Sequence, residues 1–187
     1  VSARHAHLTK ETYFKLFGHE NISKKNDLNQ IGEFASNETL MIKTAKNTIE
    51  KVRVLGPFRD YDQIEISRTD AINLGINPPI RKSGDIDNTP GITLIGPAGS
   101  VILDKGVIVA ERHIHMDEEF ALKYNLQDNN LIKVIIPGTK GMNKDKVEEI
   151  IYAFLKISDN AYLELHIDTD DANALVLKNG DEVEIEI

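Results

Sequence analysis

The chain has 187 residues, 41% hydrophobic and 28% charged, with a formal net charge of −8 and no cysteine. That length suits one ordinary domain or two small, interlocked ones. Disulfide scaffolds, thiolate metal ligands and cysteine nucleophiles are excluded, the acidic balance argues against a nucleic-acid surface, and no apolar run nears the ~20 residues of a membrane span.

Taken in chain order, the first element is Arg4-His5-Ala6-His7. Residues i and i+2 of a strand share a face, so a strand here sets two imidazoles side by side. Thr9 follows as a helix N-cap, then a short amphipathic stretch. Residues 23–38 (SKKNDLNQIGEFASNE) are polar and read as a mobile loop. TIEKVRVLGPF reads as a strand and QIEIS as another, followed by a Thr/Asp turn and a small helix. Residues 77–91 (NPPIRKSGDIDNTPG) are loop-like by composition. GITLIGPAGSVIL and GVIVAERHIH read as strands, the latter ending in a second Arg-His-x-His, Arg112 to His115. Asp117 then matches Thr9 as an N-cap. NLIKVIIPG reads as a strand, residues 144–157 (KDKVEEIIYAFLKI) as the best helix by apolar spacing, and AYLELHI as a strand. Asn179-Gly180 before EVEIEI signals a hairpin.

The order of pieces repeats. SARHAHLTKETYFKLFG lies over AERHIHMDEEFALKYNL, and QIEISRTDAINLGI lies over ELHIDTDDANALVL. With Glu65 over His166, identities follow at Ile66/Ile167, Asp70/Asp171, Ala71/Ala172 and Leu74/Leu175. The duplication completes two ligand sets: His5, His7 and Glu65; and His113, His115 and His166. Three protein donors leave a fourth tetrahedral position open, the pattern of catalytic zinc; cobalt, nickel and iron also suit these donors. A lone His-x-His is more often a solvated strand face, but two copies with matched third donors point to two metals. His19 lacks a matching partner and reads as an exposed loop histidine.

Arg59 lies six residues before Glu65, and a turn between them returns its guanidinium toward the metal, where it suits phosphate. The competing reading is a surface salt bridge to Asp60 or Asp62. Arg81 and the Ser83-Gly84 backbone suit an anion or a rigid turn. Asp168, Asp170 and Asp171 suit either acceptors for the histidines or solvated turn carboxylates.

VSARHAHL, GPFRDYDQIEIS, TDAINLG, PPIRKSGD, TPGITLIGP, GVIVAERHIHM and HIDTDDANA, in this order from Val1 to about Asn173, resemble the PduL-type phosphate propanoyltransferases, phosphotransacylases associated with propanediol-degrading bacterial microcompartments. The resemblance implies a mainly β fold of two small pseudo-symmetric barrels with short capping helices and the active site in the cleft between them. One barrel spans 3–110; the other spans 111–187 and takes in residues 1–2. It implies two zincs, one on His5, His7 and Glu65 and one on His113, His115 and His166. Arg59 matches the family's catalytic, phosphate-binding arginine, and Ser2, Arg53 and Asn173 fall where the family contacts coenzyme A.

The implied reaction converts a short-chain acyl-CoA, propanoyl-CoA or acetyl-CoA, plus phosphate into acyl phosphate plus CoA, by direct phosphate attack at the dinuclear zinc site. The rivals are a dinuclear zinc hydrolase of a thioester or phosphate ester, and a metal-stabilised binding module. Partners are acyl-CoA and phosphate, with no nucleic acid or membrane; a homo-oligomer is compatible. Microcompartment members carry an N-terminal encapsulation helix ahead of the VSARH segment, through which shell or cargo contacts are made. The expected location is cytoplasmic, inside a microcompartment where such a helix is present.

Overall fold

A computed structural model of the chain describes residues 1–138 and 148–187. Two compact units emerge: a first of Ala3–Ala110, and a second of Val1–Ser2 with Glu111–Ile187. Ser2 belongs with the second because its amide donates to the Ile167 carbonyl at 2.7 Å and it bridges Asp168. Both units are mainly β with short helices, each sheet curling as a half-barrel.

The first unit runs β1 (His5–His7), α1 (Lys10–Phe17), β2 (Lys24–Asp27), β3 (Phe34–Lys43), β4 (Thr48–Gly56), β5 (Gln63–Glu65), α2 (Arg68–Leu74), β6 (Ile80–Arg81), β7 (Ile92–Ile95), β8 (Ser100–Leu103) and β9 (Val107–Ala110). Its sheet has the order β6-β9-β5-β1-β4-β3-β7-β8, with β2 on β3. The polar 23–38 segment is therefore not simply a loop: Lys24–Asp27 forms an exposed edge strand on β3. Its charged, outward residues are what an edge strand tolerates.

β1 has little strand preference of its own. Its conformation is imposed by β4 on one side, parallel, and β5 on the other, antiparallel, as sheet propensity is largely context. Ala6 points into a core with Leu8, Tyr13, Ile64 and Leu74, all fully buried; burying each large side chain is worth about 1.5–3 kcal/mol. Thr9 caps α1, accepting from the Thr12 amide, and Ser67 caps α2, accepting from the Asp70 amide. Both helices end at a left-handed glycine, Gly18 and Gly75, a conformation that costs other residues more.

The second unit runs β10 (His113–Asp117), α3 (Glu118–Lys123), β11 (Leu131–Ile136), β12 (Glu149–Ser158), β13 (Glu164–His166), α4 (Thr169–Ala174) and β14 (Glu184–Glu186), with sheet order β13-β10-β12-β11-β14. Asp117 caps α3, as the repeat predicts.

Three sequence expectations need correction here. The 144–157 segment is not a helix: residues 149–158 form β12, the centre of this sheet, and residues 144–147 lie outside the described residues. Its apolar spacing misleads because Ile151, Ala153 and Leu155 face the core at period two while Ile150, Tyr152 and Phe154 are exposed and equally apolar, which blurs the alternation. GVIVAERHIH is two strands in different sheets, β9 and β10, separated by Glu111 and Arg112. Asn179-Gly180 makes a turn, with the Asp181 amide donating to Lys178 O, but β14 pairs with β11 and not with the preceding segment.

Candidate metal centres

The same three-strand frame recurs. In the first unit His5 lies opposite Glu65 and His7 opposite Gln63. In the second His113 lies opposite His166 and His115 opposite Glu164. Directly opposed residues share a sheet face, so each His-x-His strand meets its third donor through register alone. Candidate ligand atoms within each set lie within 4.8 Å of one another.

In the first set, His5 Nε2 is 3.3 Å from Glu65 Oε2 and His7 Nε2 is 3.9 Å from Glu65 Oε1. All three residues are buried. His5 Nδ1 lies 2.8 Å from the Ala3 carbonyl, which only accepts, so Nδ1 carries the proton and the Nε2 lone pair points inward. Burial alone would lower the His5 pKa, but the Glu65 charge and hydrogen bond outweigh it and leave it raised.

The second set is an imidazole triad, with ring centroids 5.0 Å apart for His113–His115 and His113–His166 and 4.6 Å for His115–His166. His113 Nδ1 repeats the backbone contact, 2.9 Å from the Glu111 carbonyl. His115 is pushed down to about 3, first by burial, then by the His166 and His113 charges and by Lys156.

Both frames are braced alike. The arginine ahead of each histidine pair reaches the aspartate in the following helix: Arg4 Nε to Asp70 Oδ2 at 2.8 Å, and Arg112 Nε to Asp171 Oδ2 at 2.7 Å. Asp168 caps α4 through the Asp171 amide. Asp168 and Asp171 are therefore engaged in capping and ion pairing rather than in orienting histidines, and burial raises the Asp168 pKa.

Arg59 does not pair with Asp60 or Asp62. Its amide donates to Leu8 O at 3.0 Å, immediately after His7, and its Nη2 donates to Glu33. Its Nε is buried with no hydrogen-bond partner among the described residues, a condition that calls for explanation in a native fold. Asp62 instead accepts from the Thr9 amide and the Thr12 hydroxyl, tying the start of α1 to the Arg59 turn. Arg53 sits beside His5 in the parallel register and donates to Ser36 O and Asn37 O. Ser2 bridges the cap of α4, and Asn173 is exposed on that helix.

Two residues escaped sequence reasoning, Gln63 and Glu164. Gln63 is fully buried; its Nε2 donates to Glu65 Oε1 at 2.7 Å and Ser83 Oγ at 2.9 Å, and its Oε1 accepts from the Gly84 amide at 2.7 Å. The Gly84 N–H, one candidate anion donor, is thus already used. Glu164 Oε2 lies 2.7 Å from His166 Nε2. The signal was present in the repeat, which places Gln63 over Glu164, but an amide and a carboxylate do not look alike.

Comparison with known proteins agrees on one family. The model of the phosphate propanoyltransferase family matches residues 1–178. The chain is 45% identical over 187 residues to a phosphate propanoyltransferase of Thermotoga maritima, covering 99% of this chain and 86% of that protein. It is 44% identical to the protein of that name from Rhodopseudomonas palustris over 186 residues, covering 99% and 80%, and 44% identical to that of Priestia megaterium over 182 residues, covering 97% and 81%. No helix among the described residues is long and apolar enough to cross a membrane.

Proposed function

Because the chain belongs to the phosphate propanoyltransferase family of acyltransferases, we propose that it interconverts a short-chain acyl-CoA, propanoyl-CoA or acetyl-CoA, plus phosphate with the acyl phosphate plus CoA. A phosphate oxygen bonds to the thioester carbonyl carbon, the C–S bond breaks, and sulfur leaves as the CoA thiolate. With no cysteine in the chain, no thiol can carry the acyl group, and direct attack is the shorter route.

The doubled triad carries this reading. We assign one zinc to His5, His7 and Glu65 and another to His113, His115 and His166. The donors fit: imidazole and carboxylate suit zinc, and a backbone carbonyl holding Nδ1–H of His5 and of His113 is the usual support of a metal-bound histidine. Bound there, zinc supplies Lewis-acid stabilisation of negative charge on oxygen or thiolate sulfur.

Arg59 binds the phosphate. Its fork matches two phosphate oxygens, its buried Nε has a donor to give, and its charge offsets repulsion between phosphate and the polyanionic CoA. Phosphate there competes with Glu33 for the guanidinium. Ser2, Arg53 and Asn173 are assigned to CoA on the family resemblance. A cytoplasmic location, inside a microcompartment or outside one, follows from the same resemblance.

The test is thiol release from propanoyl-CoA by zinc-loaded protein. Release should require phosphate, stop on chelation and return with zinc; release without phosphate would make the protein a hydrolase. Arg59→Ala should keep both metals yet lower turnover about a hundredfold or more, the scale of losing one charge-stabilising donor. Near-normal turnover at saturating phosphate would remove Arg59 from the reaction.

A further inference from the structure

We infer that Gln63 and Glu164 are paired positioning residues, each selecting and orienting the third metal donor of its own unit. The inference rests on the metal reading of the two triads. It starts from a coincidence of place: Gln63 stands two residues before Glu65 and opposite His7, and Glu164 stands two residues before His166 and opposite His115. Each hydrogen-bonds the third donor of its own strand.

The residue types are complementary in the same sense. The third donor of the first unit is a carboxylate, which only accepts hydrogen bonds. Its supporting neighbour is an amide, whose N–H₂ gives one. The third donor of the second unit is an imidazole, which gives an N–H. Its supporting neighbour is a carboxylate, which takes one. A carboxylate in place of Gln63 sets two acceptors against each other, and an apolar side chain in place of Glu164 leaves the imidazole N–H without its acceptor.

Each contact also fixes which atom faces the metal. Gln63 holds Glu65 through Oε1, leaving Oε2, the oxygen nearer His5. Glu164 can only accept, so His166 carries its proton on Nε2 and presents the Nδ1 lone pair. That tautomer is the reverse of His5 and His113, whose Nδ1–H is given to a carbonyl. Such outer contacts change metal affinity by about 10–100-fold when lost.

The two supports differ in how firmly they are set. Gln63 Nε2 also donates to Ser83 Oγ and its Oε1 accepts from the Gly84 amide, so the 77–91 segment is anchored to the first metal centre. The Glu164 side chain is 28% exposed, a position that accepts substitution without threatening the fold.

The experiment is zinc titration of the whole protein against a chromophoric chelator, with nitrogen-15 NMR of the histidines in the metal-free form. Wild type should bind two zincs and show His166 as the Nε2–H tautomer. Glu164→Leu should weaken one site about 10–100-fold and leave the other untouched. Glu164→Gln, whose carbonyl still accepts, should recover most of that loss. Gln63→Glu should weaken the first site, because two carboxylates then face each other. Wild type without two bound zincs would overturn the metal reading itself. Two tight sites in wild type with unchanged affinity in Glu164→Leu, or His166 protonated at Nδ1, would overturn this inference alone.

Discussion

In the first unit every member of the triad is buried and one is a carboxylate; in the second only His115 is buried and all three are imidazoles. Yet the strands that carry them share a frame: the His-x-His strand runs parallel to a long neighbour and antiparallel to the strand of the third donor. Backbone register thus fixes where the candidate donors stand, and the neighbour two residues earlier hydrogen-bonds the third of them. The sharpest way to break the comparison is to move one unit's chemistry into the other. Glu65→His alone should weaken the first site more than a hundredfold, since a ligand is changed and its support is wrong. Adding Gln63→Glu, which recreates the pair of the second unit, should recover at least about tenfold. Zinc titration of the single and double variants measures the coupling; simple additivity of the two losses would mean that the neighbours do not act as a pair.

The units also differ in the sign of their acid response once metal is removed. His5 is raised above its unfolded value of about 6.5. Its contribution to stability is full below that value and is lost as pH rises through the folded pKa. His115, pushed down to about 3, does the reverse: its contribution is present above about 6.5 and is lost as pH falls from there toward the folded value. Acidification of metal-free protein should therefore weaken the second unit before the first. Histidine NMR titration checks this directly. A His115 midpoint at its ordinary value, or a His5 midpoint below it, would contradict the burial and charge pattern described.

Much of this frame was legible in the sequence, because histidines at strand spacing are a local signal and the repeat pointed to Glu65 and His166 as the residues that join them in each candidate cluster. The caps Thr9 and Asp117 were legible for the same reason. What failed was non-local. Tyr152 and Phe154 are apolar on an exposed face, and only the pairing of β12 between β10 and β11 reveals a strand. The competing reading of Arg59, a salt bridge to an adjacent aspartate, looks too locally: its ion-pair partner, Glu33, comes from 26 residues upstream. Gln63 was missed because a buried amide has no composition signature; its role is visible only once the Glu65, Ser83 and Gly84 contacts are seen together.

A smaller contrast lies in the braces. Arg4 and Arg112 occupy matching places, but Asp70 is the more buried acceptor, with its side chain 7% exposed against 22% for Asp171. Removing a partner from a buried charge costs more than removing it from a hydrated one, because the orphaned group keeps its desolvation penalty. Arg4→Ala should therefore destabilise the metal-free first unit by about 2 kcal/mol, and Arg112→Ala the second by about 1 kcal/mol. The two arginine side chains are about equally exposed, 42% for Arg4 and 40% for Arg112, so the contrast lies in the aspartates. Chemical denaturation at neutral pH, followed by proteolysis to assign which unit opens, separates the two. Equal losses would show that the braces act by positioning the backbone before each histidine pair, independently of how deeply the aspartate is buried.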